Sequence, residues 1–383
     1  HSPAVGIVAA VVVATRPNFG RFALVGYQDI PFAMLIVLAL LLEVRKPKRG
    51  PAVLGVLALA GLMRPDAWVL SFAYVAYLWS ASSPRRRVEL LALAAFAPVL
   101  WMLQDAIVTG QPLHSLKGTK ELAGEVNRRR PPEQVPSRTL WYLKLLLLWP
   151  LAFGVPVGLV YWWTRERRRW ALVIATAALL VGFILFAALV GTSLIQRYMI
   201  TPAVLLALVY GLGVFGWLKL PGGDARGRWR AIGTVSLALS VIWIPWQASN
   251  ISHVATALDH EHTNYSDLRL ALHSPTVRHR FAQCGGTISV LGHKPVPDVR
   301  WWLDGRPGSV RIVEGKVRRV GPLLLAPRPT KQMWGLYRKV FAHVTPPAGY
   351  RPLFKNHSWI VYAGTGCASG RLSAPPGGDS PDL

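Results

Sequence analysis

Long apolar runs separated by short basic clusters are the feature that most constrains this chain. Residues 170–218 contain two apolar runs interrupted only at residues 192–198. Each run is long enough to cross the hydrocarbon core of a bilayer, which takes roughly 20 apolar residues. Hydrophobic residues make up 52% of the chain and the mean hydropathy is +0.33. We therefore expect an all-α polytopic membrane protein.

Apolar segments of this kind recur along the first two thirds of the chain. They predict helices at about 4–14, 30–43, 51–63, 66–80, 88–108, 140–163, 170–191, 198–218 and 231–248. Several are short for a span, and the pair between 51 and 80 can equally form one broken, re-entrant unit. The prediction is about nine transmembrane or re-entrant helices in a domain of residues 1–248.

The positive charge of the chain predicts the topology. The net charge of +25 could indicate nucleic-acid binding, but the basic residues cluster in loops after every second predicted helix. The clusters lie at 45–49, 85–87, 165–169 and 219–230. By the positive-inside rule these loops are cytoplasmic. This pattern argues against nucleic acid as a partner and predicts a multi-pass plasma-membrane protein. A composition rich in Ala, Val, Arg, Gly and Pro is typical of GC-rich bacterial genomes.

Beyond residue 248 the composition changes. Apolar runs shrink to strand length, as at 287–291 and 358–362, with Gly and Pro between them. We expect a small extracytoplasmic α/β domain at 249–372. Residues 373–383, rich in Pro, Gly and Ser, are expected to form a disordered tail.

The two cysteines, Cys284 and Cys367, both fall in the predicted extracytoplasmic domain. An oxidising compartment favours a disulfide between them. In the chain-entropy model a loop of about 80 residues adds roughly 4 kcal/mol of stability. The alternative is a pair of buried free thiols.

Three polar groups stand at the ends of apolar runs on the side predicted to face outward. Asp29 can cap the helix that follows it, or it can present a carboxylate at the mouth of a cavity. Arg64 can pair locally with Asp66, or its guanidinium can bind a lipid phosphate. Arg197, beside Tyr198, can extend to lipid headgroups or bind a phosphate.

The long loop at 109–139 contributes one further candidate. His114 in this loop can bind a substrate or relay a proton, or it can be an ordinary surface histidine. Signatures of zinc proteases and nucleotide-binding loops are absent from the sequence.

Four motifs together resemble actinobacterial members of the GT-C superfamily. They are Gly-Tyr-Gln-Asp-Ile-Pro-Phe at 26–32, Gly-Leu-Met-Arg-Pro-Asp-Ala-Trp at 61–68, Thr-Gly-Gln-Pro-Leu-His-Ser at 109–115, and Gln-Arg-Tyr at 196–198 followed by Pro202. These proteins are integral-membrane glycosyltransferases akin to the protein O-mannosyltransferase and lipid A aminoarabinose transferase families. The resemblance covers roughly residues 4–250.

The resemblance implies transfer of a sugar from a polyprenyl-phosphate donor to a glycan, lipid or protein acceptor on the extracytoplasmic face. It places the catalytic carboxylate in a loop ahead of the first helix of this chain, which we expect to be an N-terminally truncated form. Asp29 resembles the second acidic position of the family and is the candidate catalytic residue here. Arg197, with Tyr198 and Arg64, is then expected at the donor phosphate, and Asp66 and His114 in the substrate loops. In such an enzyme Asp29 can orient the donor, the acceptor or a divalent metal.

Two other classes of function fit parts of the pattern. One is a transporter or flippase for a lipid-linked or anionic solute, which would favour charged residues near helix midpoints and paired broken helices. The other is a non-catalytic membrane scaffold that displays the C-terminal domain. That class gives Arg197 no role.

Overall fold

The protein is described by a computed structural model that covers residues 2–125, 129–305, 308–313, 320–330, 333 and 346–364. These residues are mostly helical, and a small sheet lies near the C-terminal end of the chain, as predicted. The chain divides into two compact units, His1–Val254 and Ala255–Leu383. The sequence pattern had put the corresponding boundary at residue 248.

The first unit is built from helices joined by short turns. Its α-helices are α1 (Pro3–Ala14), α2 (Pro17–Leu24), α3 (Asp29–Arg45), α4 (Pro51–Met63), α5 (Asp66–Leu78), α6 (Pro84–Thr109), α7 (His114–Glu125), α8 (Val135–Leu147), α9 (Trp149–Arg165), α10 (Arg167–Leu189), α11 (Ile200–Phe215) and α12 (Asp224–Val241). Four 3₁₀ turns lie at Trp79–Ala81, Pro132–Gln134, Gln196–Met199 and Gly216–Lys219. Helix α13 (Ile244–His273) follows.

The prediction of one helix at 140–163 is wrong, because two helices, α8 and α9, occupy this region. They meet at a bend of 102°, and Leu148 between them has a φ of 55°. Pro150 explains the break, because it lacks a backbone N–H and restricts the preceding Trp149. Helix α2, bent 72° from α1, and helix α7 were not predicted. The single helix predicted at 231–248 is also wrong, because α12 ends at Val241 and α13 begins at Ile244. The extension of α13 to His273 was not predicted.

Three helical segments are long and apolar enough to cross a membrane: α6, α10 and Gln196–Lys219. The bent pairs α1–α2 and α8–α9 raise the number to five within the described residues, if each pair counts as one span. Helix α4 is apolar but has only 13 residues, which corresponds to about 20 Å.

Glycines bring α9 and α11 into close contact. Gly154 and Gly158 of α9 are four residues apart, the spacing of a small-residue helix-packing motif. A Cβ on Gly158 would lie 2.0 Å from the carbonyl oxygen of Val209, and one on Gly213 would lie 2.8 Å from the carbonyl oxygen of Gly154. These backbones can approach this closely only where side chains are missing.

Two hydrophobic clusters fill the first unit. One joins α3, α4 and α6 through residues such as Phe32, Leu54 and Leu90. The other joins α8 and α11 through residues such as Leu146 and Tyr210. The packed helices hold the ends of α3, α4, α5 and α11 in fixed positions.

The second unit contains a five-stranded sheet and two further helices. The elements are α14 (Pro275–Gln283), β1 (Ile288–Leu291), α15 (Val296–Trp302), β2 (Val310–Val313), β3 (Leu323–Pro327), β4 (Arg351–Lys355) and β5 (Trp359–Ala363). The strand order is β2-β1-β3-β5-β4. Strand β1 pairs in parallel with β2 and β3, whereas β5 is antiparallel to β3 and β4. Both strands predicted from the sequence are present, as β1 and β5.

The larger of two hydrophobic clusters in the described part of this unit lies against one face of the sheet. It contains Trp359 and Leu325 from the strands and Leu272 from the last part of α13. Cys284 is also buried there and is disulfide-bonded. Its predicted partner, Cys367, lies outside the described residues, so their pairing stays a prediction.

Candidate functional site

The polar groups that the sequence singled out come together at one end of the helical unit. Arg64 lies between two carboxylates, with Nη1 bonded to Oδ1 of Asp29 and Nη2 2.5 Å from Oδ2 of Asp66. All three residues are buried, with 5%, 2% and 9% exposure for Arg64, Asp29 and Asp66. A buried cation held by two buried anions is a rigid arrangement, because removing the cation leaves buried carboxylates without the partner that compensates them.

Local sequence explains how α4 and α5 place Arg64 and Asp66 here. Arg64 precedes Pro65, which disfavours helical geometry at Arg64, and its backbone is extended with φ −149° and ψ 136°. Helix α4 therefore ends, and α5 begins at Asp66, where the helix dipole favours a carboxylate. Asp29 likewise is the first residue of α3, one position after the N-cap Gln28.

Aromatic rings surround both guanidinium groups. The Cζ atom of Arg64 lies 5.0 Å from the ring centroid of Phe32 and 4.8 Å from that of Tyr198. The Cζ atom of Arg197 lies 4.9 Å from the ring of Tyr27 and 5.8 Å from that of Tyr198. Cation–π contacts of this kind fix the guanidinium groups without consuming their N–H donors.

Arg197 differs from Arg64 in its polar partners. Its Nε is buried, and within the described part of the chain this atom has no hydrogen-bond partner. The same holds for Nε2 of the neighbouring Gln196. The 3₁₀ turn Gln196–Met199 thus presents two buried donors whose hydrogen-bonding capacity is unused. Such groups are rare in native proteins and call for an explanation.

A cavity of about 310 Å³ joins these groups. Its wall includes Asp29, Arg64, Asp66, Arg197 and Tyr198. The remaining polar lining residues are Gln28, Trp101, Ser115, Thr119, Thr192 and Ser193. The volume is at the lower end of the range for ligand sites, and the lining combines apolar walls with a few convergent polar groups.

Helix α7 forms one side of the cavity, and Asp105 of α6 holds its first turn. The carboxylate of Asp105 accepts hydrogen bonds from the backbone N–H of Ser115 at 2.8 Å and from its hydroxyl at 2.6 Å. His114, the residue predicted for the substrate loop, is exposed and is not part of the cavity wall. The structure thus brings Ser115 to the cavity, one position from the predicted residue.

Sequence reasoning missed Asp105, Ser115, Thr119 and Trp101. Asp105 is the one with a readable signal, since it is an acidic residue within the apolar segment predicted at 88–108. Trp101 donates its indole N–H to the carbonyl of Leu62 at 3.1 Å, and this long-range contact leaves no mark in the sequence.

Basic side chains lie close to the wall of the cavity near Thr192 and Ser193. A Cβ on the preceding Gly191 would lie 3.6 Å from Cε of Lys120 and 3.9 Å from Nε of Arg129. Arg129 also donates to the carbonyl of Lys120 at 3.0 Å. Both residues are exposed and lie outside the cavity lining.

The donor set does not suit a divalent metal. No group of three or more His, Cys, Asp or Glu side chains that could hold a metal occurs among the described residues. Both carboxylates of the cavity, Asp29 and Asp66, are bonded to Arg64. The cavity is better equipped to bind an anion through N–H donors.

We compared the chain with protein-family models, curated proteins and solved structures. None of the three comparisons gives a match. The geometry of the site is therefore the basis for assigning a function.

Proposed function

We propose that this chain is an integral-membrane glycosyltransferase that takes its sugar from a polyprenyl-phosphate donor. The observation that carries the proposal is Arg197, whose buried Nε faces no hydrogen-bond partner among the described residues although the residue lines a cavity. An unsatisfied buried donor costs about 1–3 kcal/mol. A phosphate in the cavity would be bound by the guanidinium N–H groups that face it, since a guanidinium can donate two parallel hydrogen bonds to a phosphate.

The surroundings of Arg197 support an anionic, amphipathic ligand. Lys120 and Arg129 lie beside Gly191, next to the wall of the cavity, and would attract a phosphate. The rings of Tyr27 and Tyr198 flank the guanidinium. They provide apolar surface for the first isoprene units or for one face of a sugar.

In this proposal Arg64 is a positioning residue. Its two terminal nitrogens are bonded to Asp29 and Asp66. Fewer of its N–H donors are therefore available to a phosphate than the sequence analysis expects. The ion pairs hold the Asp29 carboxylate at the cavity wall, where it can accept a hydrogen bond from a sugar or acceptor hydroxyl. Asp29 thus orients the reacting groups.

The reaction we propose is a displacement at the anomeric carbon. The acceptor oxygen forms a bond to this carbon as its bond to the phosphate oxygen breaks. The polyprenyl phosphate leaves with the electron pair, and Arg197 stabilises the charge that develops on it. The acceptor proton passes to a general base.

The membrane arrangement belongs to the same proposal. The predicted segments cross or enter the plasma membrane about nine times, with α4 and α5 as a pair of short helices that enter it only partly. The basic clusters face the cytoplasm under the positive-inside rule. The cavity and the C-terminal unit then face outward, where the donor is presented.

Binding of a photoreactive polyprenyl phosphate without a sugar tests the proposal. We expect light-dependent labelling of the wild-type protein, and about tenfold or more weaker labelling of Arg197→Ala, since a hydrogen bond to a charged group contributes about 1.5–3 kcal/mol. Lys117→Ala, an exposed cation of α7, is the matched control and should label normally. Equal labelling of all three proteins would refute the donor site.

The same probe separates the transferase from a flippase. Reconstituted into vesicles, a flippase would move the labelled lipid between leaflets without any acceptor. A transferase would leave it in its leaflet. Movement of the probe that depends on Arg197 would replace the transferase proposal by transport.

A further inference from the structure

A second cavity lies at the opposite ends of the helices that form the candidate site. It is a groove of about 690 Å³ lined by parts of α1, α3 and α10 and by Leu208 of α11. It shares no lining residue with the first cavity. Helix α3 contributes Asp29 to the first cavity and Glu43 to the second. These two residues are separated by 14 positions, or about 21 Å along the helix axis.

The wall of this groove is mainly aliphatic and its rim is basic. The aliphatic lining residues are Val5, Val37, Leu40, Leu41, Val44, Leu172, Val173 and Leu208. Arg168 and Arg169, in the first turn of α10, complete the groove. A long apolar surface that ends at two guanidinium groups matches a molecule with a hydrocarbon chain and an anionic head.

The two arginines have capacity for an anion. Arg168 is exposed, and it forms no ion pair with any residue that the structure describes. Arg169 has only a long contact to Glu166, with 3.7 Å between Nη1 and Oε1. By contrast, Arg167 is placed over the ring of Trp163 at 3.9 Å and does not line the groove.

Glu43 is the one acidic residue of the groove lining, and its carboxylate is already satisfied. It accepts hydrogen bonds from the backbone N–H of Lys48 at 2.7 Å and from the Tyr74 hydroxyl at 2.5 Å. It therefore does not depend on the arginines for a partner. Glu43 and Tyr77 also line an adjoining chamber of about 220 Å³, which lengthens the apolar space.

We propose that this groove binds a glycerophospholipid, with the phosphate at Arg168 and Arg169 and one acyl chain along α1 and α3. Basic pockets between membrane helices at the cytoplasmic side are suited to anionic headgroups, and a guanidinium pair matches a phosphodiester. The site is distinct from the donor cavity; its position at the cytoplasmic side rests on the membrane arrangement proposed above.

Lipid binding to the purified full chain in detergent tests the inference. Phosphatidylglycerol and a diacylglycerol with the same acyl chains are the two probes, and native mass spectrometry counts the bound lipid. We expect the wild-type protein to bind phosphatidylglycerol and to bind diacylglycerol much more weakly. Equal binding of the two would show an apolar groove without a phosphate site and would overturn the proposal.

Charge variants test the part of the groove that is proposed to bind the lipid phosphate. Arg168→Gln combined with Arg169→Gln should weaken phosphatidylglycerol binding by about 30-fold, at roughly 1 kcal/mol for each basic residue. The matched control is Arg85→Gln combined with Arg228→Gln. It removes two exposed cations outside the groove and should bind like wild type. An equal loss in both variants would indicate non-specific attraction and contradict the site.

A variant that fills the groove tests the proposed position of the acyl chain while every charged residue is kept. Gly6 of α1 lines the groove, and a Cβ there would meet nothing within 4 Å, so Gly6→Phe can fill the space without a clash. Bound phosphatidylglycerol should fall severalfold. Gly55→Phe, also at an open position but away from this groove, is the control. Unchanged binding in Gly6→Phe, with a thermal midpoint like that of the control, would refute the acyl-chain placement.

Discussion

Arg64 forms ion pairs with two buried carboxylates, and this arrangement makes its substitution costly. Arg64→Ala would remove the cation that is bonded to both Asp29 and Asp66 and leave Asp29 only its electrostatic interaction with Arg197, so we expect the free energy of unfolding to fall by about 3–5 kcal/mol. Arg64→Lys keeps the charge but loses the forked guanidinium that reaches both carboxylates. Its free energy of unfolding should lie between that of the wild type and that of Arg64→Ala. Thermal unfolding in detergent measures the effect, with Lys117→Ala as an exposed control. A midpoint for Arg64→Ala equal to that of the wild type would contradict the buried network.

Asp298 gives the second unit a pH dependence. Burial raises the pKa of this carboxyl above its usual value, although the N-terminus of α15 favours the charge. The folded state therefore binds its proton more tightly than the unfolded state. Stability is highest at low pH, where both states are protonated, and is lost as pH rises through the raised pKa.

Asp298→Asn should remove this penalty. We expect the variant to have a higher thermal midpoint than the wild type at pH 7, and the difference to shrink towards pH 4, near the unfolded pKa of Asp. Asp259→Asn, at an exposed position of α13, serves as control. A difference that grows as the pH is lowered would reverse the sign and refute the assignment.

The sequence identified most of the charged residues of the site and offered the local pair of Arg64 with Asp66, which the structure confirms, but it did not predict the pair of Arg64 with Asp29. Asp29, Arg64 and Arg197 are recognisable because each interrupts or begins an apolar run. A charged side chain there is costly and often has a functional role. The bond between Arg64 and Asp29 spans 35 positions, and only the packing of α3 against α4 brings them together. Arg64 forms both ion pairs at once, the local one with Asp66 and the long-range one with Asp29.

The packing of α9 against α11 makes a prediction at the level of whole helices. A Cβ at Gly158 would lie 2.0 Å from the carbonyl oxygen of Val209, so Gly158→Ala must push the helices apart. We expect a loss of about 1–3 kcal/mol, as for other overpacked interiors.

Gly182→Ala is the matched control for this substitution. Gly182 lies within α10, and a Cβ there meets nothing within 4 Å. Alanine should be neutral or stabilise the helix by up to about 1 kcal/mol. Thermal unfolding of both variants distinguishes close helix packing from a general effect of glycine replacement, and equal midpoints would contradict the close approach.

The helices that the sequence failed to predict share a physical cause. Helix α7 is largely polar and contains glycines, so it carries no apolar period, and the bonds from Ser115 to Asp105 fix its start. The break at Leu148 lies inside a continuous apolar run, where only Pro150 indicates it. Apolar runs thus predicted the apolar helices of the first unit, whereas the start of the polar helix α7 depends on a tertiary contact with Asp105.

For the whole molecule, the orientation in the membrane is the prediction to test. An engineered cysteine at Gly222, in the basic segment 219–230, should be protected from a membrane-impermeant thiol reagent in intact cells. One at Lys355, an exposed position of β4, should react. Permeabilised cells provide the control, because both sites should then be labelled. The reverse pattern would invert the proposed topology.

Sugar transfer by Arg197 variants tests the central claim most directly. Native membranes containing the full-length protein at matched expression are supplied with a polyprenyl-phosphate sugar, and turnover is measured. We expect Arg197→Lys to lower turnover, because it keeps the charge but loses the fork. Arg197→Ala should lower turnover further, through the loss of about 2–4 kcal/mol of transition-state stabilisation. The turnover of Lys117→Ala should stay near that of the wild type. Transfer by Arg197→Ala at the wild-type rate would contradict the account.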